Sequence, residues 1–341
     1  MKLISFTVPC YNSEAYMEKC IESILTGGDD VEIIIVNDGS KDNTINIANS
    51  YKERYPDTVK VIDKPNGGHG SGVNAGLKAA TGLYYKVVDS DDWLDEAALK
   101  TLLDTIKRHL AENTPADLYI TNFIYDKVSD GTRYVSSYEK MMPQNKIISW
   151  NEVKKFKYSH MMLMHALLYK RENLLESDTV LPEHTFYVDE LYAYKPLPYM
   201  KKLYYLNVDL YHYFIGREDQ SVNLTQIEKR YDQQVRVMKC IVDSYTWDEI
   251  KVMPKGLKNY MWHSVEVLMT TVMFFICYKT TPERKQTYKE LWQYIKNKDK
   301  KLYKKLRHCS YTTAVNYLTW GVRSWVMTKG YLYFQKKIKL G

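Results

Sequence analysis

Short apolar runs alternate with segments of helical spacing through the first 125 positions of this chain. Residues 3–8, 31–36, 59–62 and 83–88 are runs rich in Val, Ile, Leu and aromatic side chains, the signature of strands buried on both faces. Between them, Asn12-Ser13 opens a predicted helix whose apolar face is Tyr16, Met17, Cys20, Ile21, Ile24 and Leu25. Asp42 is placed to cap a second helix running to about residue 55, and residues 73–80 predict a short third helix ended by Gly82. Asp95 caps a longer fourth helix to about residue 112, and residues 117–125 predict a fifth strand.

Strands and helices that alternate with short connections predict an α/β fold with a mostly parallel, doubly wound sheet. Ligands on such sheets bind at the carboxyl ends of the strands. The polar clusters fall at those ends. Pro9-Cys10-Tyr11-Asn12 follows the first strand and Asn37-Asp38-Gly39-Ser40 ends the second. A loop over residues 63–72 follows the third, and Asp89-Ser90-Asp91-Asp92 follows the fourth. This regularity predicts one composite site. Residues 126–224 are mixed and rich in tyrosine, whereas 225–341 carry aromatics at helical spacing. The pattern therefore divides the chain into an α/β domain at 1–224, expected to hold the composite site, and a mainly helical region at 225–341.

Composition narrows the partners. Hydrophobic residues make up 45% of the 341 and charged residues 26%, as in a globular enzyme rather than a disordered chain. Five scattered cysteines (Cys10, Cys20, Cys240, Cys277, Cys309), none paired at metal-ligand spacing, read as reduced thiols. Met1-Lys2 leads into a strand-length apolar run, which reads as no secretory signal and predicts a cytoplasmic protein. The longest later apolar stretch, the 11 residues 267–277, is shorter than a membrane span requires. The net charge of +7 is uneven, because residues 298–341 hold 11 Lys/Arg against one Asp. Aromatics interleave with the basic residues there (Trp320, Trp325, Tyr331, Tyr333 and Phe334 with Arg323, Lys329, Lys336, Lys337 and Lys339). That mixture suits peripheral contact with an anionic membrane surface at its inner face better than nucleic acid. A solvated basic helix is the simpler alternative.

Three carboxylates in four residues at a strand end repel one another, and a hard divalent cation relieves that repulsion. Mg2+ and Mn2+ take such oxygen ligands while leaving positions open for phosphates. A solvated acidic turn capping the next helix is the competing explanation. Asp38 has the chemistry to accept a hydrogen bond from a base imide N–H, and Tyr11 to pack on a base or ribose. Gly67-Gly68 allows close backbone approach. Two other enzyme classes share parts of this pattern. Gly70-Ser71-Gly72-Val73-Asn74-Ala75 imitates a dinucleotide fingerprint with Asp89 19 residues after Gly70, but it does not follow the first strand. A metal-dependent sugar nucleotidyltransferase would carry a glycine-rich, basic loop after the first strand, and Pro9-Cys10-Tyr11-Asn12 has none.

Taken jointly, Val8-Pro9-Cys10-Tyr11-Asn12, Val36-Asn37-Asp38-Gly39-Ser40, Asn66-Gly67-Gly68 with Asn74-Ala75-Gly76, and Asp89-Ser90-Asp91-Asp92-Trp93-Leu94 resemble family 2 glycosyltransferases. The resemblance implies the GT-A fold, a Rossmann-like sheet with flanking helices. It implies that Pro9, Tyr11, Asn12, Asp38, Asn66, Gly67, Gly68, Asn74, Asp89, Ser90 and Trp93 bind a nucleotide-sugar, and that Asp91, supported by Asp89, holds Mn2+ or Mg2+. Downstream, the segment ending in Val188-Asp189-Glu190 resembles the one supplying the catalytic base. The family's usual Glu-Asp is absent, so Asp189 is the first candidate and Glu190 the second. Residues 210–221 resemble the segment that closes over the diphosphate, with Arg217 as the phosphate-binding group and His212 as a further candidate ligand. The expected activity is inverting transfer from a UDP-sugar to a glycan or lipid-linked glycan hydroxyl, in bacterial surface polysaccharide assembly. A homo-oligomer is compatible with these features.

Overall fold

A computed structural model describes residues 2–127, 131–215 and 224–338. The chain forms two compact units: Met1–Lys155 with Met162–Ile215, and Phe156–Met161 with Gly216–Gly341. The short segment Phe156–Met161 joins the helical unit because Phe156 packs edge-on to Tyr260 (4.6 Å) and Tyr158 against Tyr311 (4.9 Å).

The first unit begins with the predicted alternation: β1 (Ile4–Cys10), α1 (Met17–Leu25), β2 (Val31–Asp38), α2 (Thr44–Arg54), β3 (Val59–Lys64), α3 (His69–Ala79) and β4 (Tyr84–Val87). β5 (Trp93–Leu94), α4 (Glu96–Ala111), β6 (Leu118–Lys127), β7 (Arg133–Ser136), β8 (Ile147–Ile148), β9 (Leu167–Lys170), α5 (Arg171–Glu176), α6 (Asp189–Tyr194) and β10 (Leu203–Ile215) follow. Every residue of β1, β2 and β4 is buried, the polar Glu32, Asp38 and Lys86 included. The Asp95 side chain caps α4 by accepting from the Ala98 N–H.

The sheet runs β3-β2-β1-β4-β9-β6-β10-β5, with β7 on β6 and β8 on β10. β1, β2, β3, β4, β6 and β10 share one direction, and the short strands β5, β7, β8 and β9 oppose it. The mostly parallel expectation holds for the long strands, with β9 inserted antiparallel between β4 and β6. Two helix starts differ from expectation. α1 begins at Met17, because residues 12–16 form turns that carry site contacts. α3 begins at His69, four residues before the predicted position, so the glycine-rich stretch is the helix's first turn.

The second unit contains α7 (Leu224–Ser244), α8 (Trp247–Val252), α9 (Lys255–Cys277), α10 (Pro282–Lys298), α11 (Lys300–His308), α12 (Thr313–Asn316) and α13 (Trp320–Ile338). α9 is its core and packs against α7, α10 and α13. Its 23 residues are long and apolar enough to cross a membrane by composition, which the 11-residue run did not suggest. With 78% of that apolar window buried inside the unit, α9 has the character of a core helix. Arg284 is buried beside it and donates to the Phe275 carbonyl and, at 2.8 Å, to the Glu228 carbonyl.

Candidate active site

The polar clusters at the strand ends are tied to one another. Asn12, in the left-handed region at φ 50, donates its N–H to Ser40 Oγ (3.0 Å) and accepts from the Lys41 N–H at its Oδ1 (2.8 Å), joining the first two loops. Ser13 Oγ and Ser90 Oγ lie 2.8 Å apart, joining the first loop to the acidic one. Asp38, buried at the end of β2, accepts from Lys64 Nζ (2.6 Å) and the Gly67 N–H (2.9 Å) at Oδ1 and from the Gly68 N–H (2.7 Å) at Oδ2. Gly68 needs glycine there, since its φ is 83 and a Cβ would meet His184 N at 3.1 Å. Asn66 Nδ2 donates to the Asp38 carbonyl (2.9 Å).

The expected nucleotide-side residues therefore divide. Tyr11 is 54% exposed and free to pack on a planar ring. Pro9 is buried beneath α3, where a Cβ on Gly72 would lie 3.1 Å from its own. Asn12, Asn66 and Ser90 hold loops in place. Asn74 clamps a distant segment: its Nδ2 donates to the Leu181 carbonyl (2.8 Å) and its Oδ1 accepts from the Leu181 N–H (3.0 Å). Trp93 stacks on His212 at 5.0 Å, with Lys19 Nζ over its ring. Arg217 lies outside the described residues.

The acidic loop holds a cluster in which ligand atoms of Asp89, Asp92 and His165 lie within 4.8 Å of one another. Asp91, the expected principal metal ligand, is half-buried beside this cluster but is not one of its three members. Asp92 is fully engaged with the protein. Tyr211 donates its hydroxyl to Oδ2 (2.5 Å) and the Phe214 N–H donates to Oδ1 (2.8 Å), while the Tyr211 oxygen accepts from the Asp89 N–H (3.1 Å). Burial, with the Asp91 and Asp89 charges adding to it, pushes the Asp92 carboxyl well above its usual range. Asp92 thus braces the acidic loop against β10. Two carboxylates remain beside it, and the buried His165 Nδ1 has no hydrogen-bond partner. This oxygen-rich donor set, with an imidazole at hand, fits a hard divalent cation.

Two histidines hold Asp89. His69, the first residue of α3, bonds Asp89 Oδ1 through Nε2 at 2.8 Å, and His165 Nε2 lies 3.7 Å from Oδ2. Burial works against the Asp89 charge, but His69 and His165 hold its carboxyl well below the usual range. For His69, burial opposes protonation, and Asp89, Asp189 and Asp91 outweigh it. Lys86, buried in β4, fixes the His165 backbone by donating to its carbonyl (2.6 Å), and burial brings the ammonium down to about 7 against the pull of Asp89. His212 bonds Asp126 through Nδ1 at 2.5 Å, which orients the imidazole.

Asp189 heads α6 and shares this environment. Burial pushes its carboxyl up, His165 and His69 oppose that shift, and Asp89 adds to it. A carboxylate with raised proton affinity beside two imidazoles suits proton abstraction from a hydroxyl. Glu190 sits next to it in the first turn. His69, His165 and Lys86 were not found from the sequence. The one available signal was His69 inside the Gly67-Gly70 run.

A model of the family described as Glycosyl transferase family 2 matches residues 5–171. An uncharacterized glycosyltransferase, EpsJ of Bacillus subtilis strain 168, is 32% identical over 194 residues, covering 55% of this chain and 54% of its own length. The chondroitin synthase of Pasteurella multocida strain Pm70 is 34% identical over 164 residues, covering 48% of this chain. The chain thus spans about half of the first relative and 15% of the second. The crystal structure of Staphylococcus aureus TarS 1–349 in complex with UDP-GlcNAc shares the fold at TM-score 0.66 and 20% identity, covering 97% of this chain and 92% of that one. The loops at the ends of β1, β2, β3 and β4 fall inside the residues that match glycosyltransferase family 2.

Proposed function

We propose that this chain transfers a sugar from a UDP-sugar to a hydroxyl of a glycan or lipid-linked glycan, with inversion at the anomeric carbon. The observation that carries the reading is the shared environment of Asp89 and Asp189 around His69 and His165. It puts a nucleotide-side carboxylate and a proton-accepting carboxylate in one electrostatic neighbourhood. The acceptor oxygen attacks the anomeric carbon, the bond from that carbon to the diphosphate breaks, Asp189 receives the hydroxyl proton, and UDP leaves. Tyr11 packs on the base or ribose and Asp38 reads the imide. Asp91 and Asp89 are the residues that would hold Mn2+ or Mg2+. When bound, the cation offsets the charge that develops on the departing diphosphate. TarS with bound UDP-GlcNAc supports the donor class, and the chondroitin synthase supports a polysaccharide acceptor. A panel of nucleotide-sugars assayed for nucleoside diphosphate release tests the donor. UDP release is expected, lost on adding chelator and abolished in Asp91→Asn. Full turnover in chelator would remove the metal from the reading, and release from GDP-sugars alone would replace the donor.

The helical unit supports peripheral contact with an anionic membrane on the cytoplasmic side. Val322, Trp325, Lys329 and Tyr333 recur at helical spacing on α13, and Trp325 and Tyr333 are 64% and 70% exposed. Arg323 differs from the sequence expectation: it is buried and donates to the carbonyls of Val315, Asn316 and Leu318, so its charge serves the fold. Trp325→Glu is expected to weaken sedimentation with phosphatidylglycerol vesicles, and equal sedimentation would leave the face without this role.

A further inference from the structure

We propose that Asn74 is a positioning residue for the acceptor side of the reaction: by clamping the Leu181 backbone it holds residues 181–189, and with them Asp189, in the working position. The inference rests on Asp189 being the base.

Asn74 lies within α3 and directs both ends of its amide at one residue 107 positions away. The pair reproduces the donor and acceptor pattern of a strand ladder. It satisfies a backbone that has no sheet partner between β9 and β10. Other ties run in parallel. The His184 N–H donates to the Gly67 carbonyl (2.6 Å), and Ser71 Oγ donates to Glu183 Oε1 (3.2 Å). Gly70 has no room for a side chain, since a Cβ would stand 2.9 Å from both Leu181 Cβ and the Pro182 carbonyl oxygen. The first turns of α3 and the 181–184 backbone are therefore in direct contact.

The clamped segment also follows a costly path. His184 and Tyr187 have φ of 48 and 65, in the left-handed region that bulky residues avoid. Such conformations persist only where the surroundings impose them. Asp189 follows two residues after Tyr187. Without the clamp the segment has a lower-energy route open to it, and the carboxylate at its end moves. A misplacement of about 1 Å is enough to cost roughly a hundredfold in rate. The same helix reaches the nucleotide side through His69 and Asp89, so α3 fixes the two reacting halves relative to each other.

The test uses the full chain with Asn74→Ala and, independently, Gly70→Ala, whose added Cβ pushes on the same segment from a neighbouring position. Three quantities are read: UDP affinity by calorimetry, kcat for UDP release from the UDP-sugar found in the panel, and hydrogen–deuterium exchange over residues 181–189. The expected result for both variants is faster exchange in that segment and kcat lowered tenfold or more, with UDP affinity within about twofold. A loss of UDP affinity in step with kcat in Asn74→Ala would make Asn74 a nucleotide contact and overturn the inference. Unchanged exchange, or unchanged kcat while Asp189→Asn is inactive, would overturn it as well. Faster exchange in Asn74→Ala with a fully active Asp189→Asn would instead reject Asp189 as the base and leave the clamp standing. Should Asn74→Ala fail to fold, the same outcomes are read from Gly70→Ala.

Discussion

Strand β2 carries a carboxylate near each end, and the two ends lie in different electrostatic surroundings. Glu32, near the start, is buried among Ser5, the Thr81 amide and hydroxyl, the Gly82 N–H (3.1 Å) and Lys60 Nζ (2.7 Å). Burial alone would raise its pKa, but these partners bring it down to about 2. At the other end, Asp38 leads into loops crowded with Asp89, Asp91 and Asp92, where burial and mutual repulsion push Asp92 up. Asp189, also shifted up, joins the same field. A carboxylate surrounded by donors stabilises the fold. Carboxylates left facing one another store unfavourable energy that a cation, a phosphate-bearing ligand or a proton can relieve. The parallel sheet separates the two uses by placing them at opposite strand ends.

The largest expected effect lies at the functional end. Asp189→Asn should lower sugar transfer by at least about a hundredfold, the lower range for loss of a general base, with UDP affinity nearly unchanged. Glu190→Gln should cost much less. Because a base works deprotonated, transfer should rise with pH through a pKa above the ordinary 3.8 of an aspartate. A pH–rate profile of kcat/KM checks this. Near-normal transfer by Asp189→Asn with an inactive Glu190→Gln would move the base one residue along. An acid limb at or below 3.8 would mean that Asp189 is satisfied in the way Glu32 is.

Asp38 tests the contrast on a single strand. It accepts from three donors of its own protein, so it has one foot in each role. A carboxylate offers about four lone-pair sites, which leaves room for one imide N–H. Asp38→Ala should weaken UDP binding by roughly 1.5–3 kcal/mol, the range for a charged hydrogen bond. Calorimetry measures it. A variant with a lower melting temperature and unchanged UDP affinity would place Asp38 with Glu32.

Much of this arrangement was legible in the sequence. Mostly apolar runs dictated β1, β2, β3 and β4, and the polar residues after each run fell together at one edge of the sheet, because connectivity alone brings parallel strand ends together. What was hidden depended on distant pairing. β9 is four residues of the tyrosine-rich region, buried only because β4 and β6 flank it. His165 gained its place from β9 and Lys86, a contact 79 positions apart. The pairing of Asn74 with Leu181 was hidden as well, because Leu181 lies 107 positions away and carries no polar side chain to announce it. The glycine-rich stretch read as loop, although its glycines answer close packing at the start of α3. Arg323 read as a surface charge, because nothing local shows three carbonyls waiting for it.

The smallest expected effect on activity, and a clear one on stability, belongs to Glu32. Its pKa is about 2 in the folded chain against an ordinary 4.5, so the folded state holds the proton more weakly than the unfolded one. The resulting stabilisation is fully present above pH 4.5 and is lost as pH falls toward 2. At 1.36 kcal/mol for each pKa unit, its upper bound is about 3 kcal/mol. Glu32→Gln removes the charge but keeps the shape, and it leaves Lys60 and the buried donors of Ser5, Thr81 and Gly82 with a weaker acceptor. The variant should lose about 1–3 kcal/mol at neutral pH and show a shallower fall in stability between pH 4.5 and 2. Its UDP affinity and its turnover per folded molecule should match the parent, because none of the partners of Glu32 belongs to the loops that carry Asp38, Asp89 or Asp189. Urea unfolding across that pH range, with calorimetry at neutral pH, decides the matter. Unchanged stability would show that the Glu32 network contributes nothing net. Lost UDP binding in a folded variant would show that the two ends of β2 are coupled, and the division of labour between them would fail.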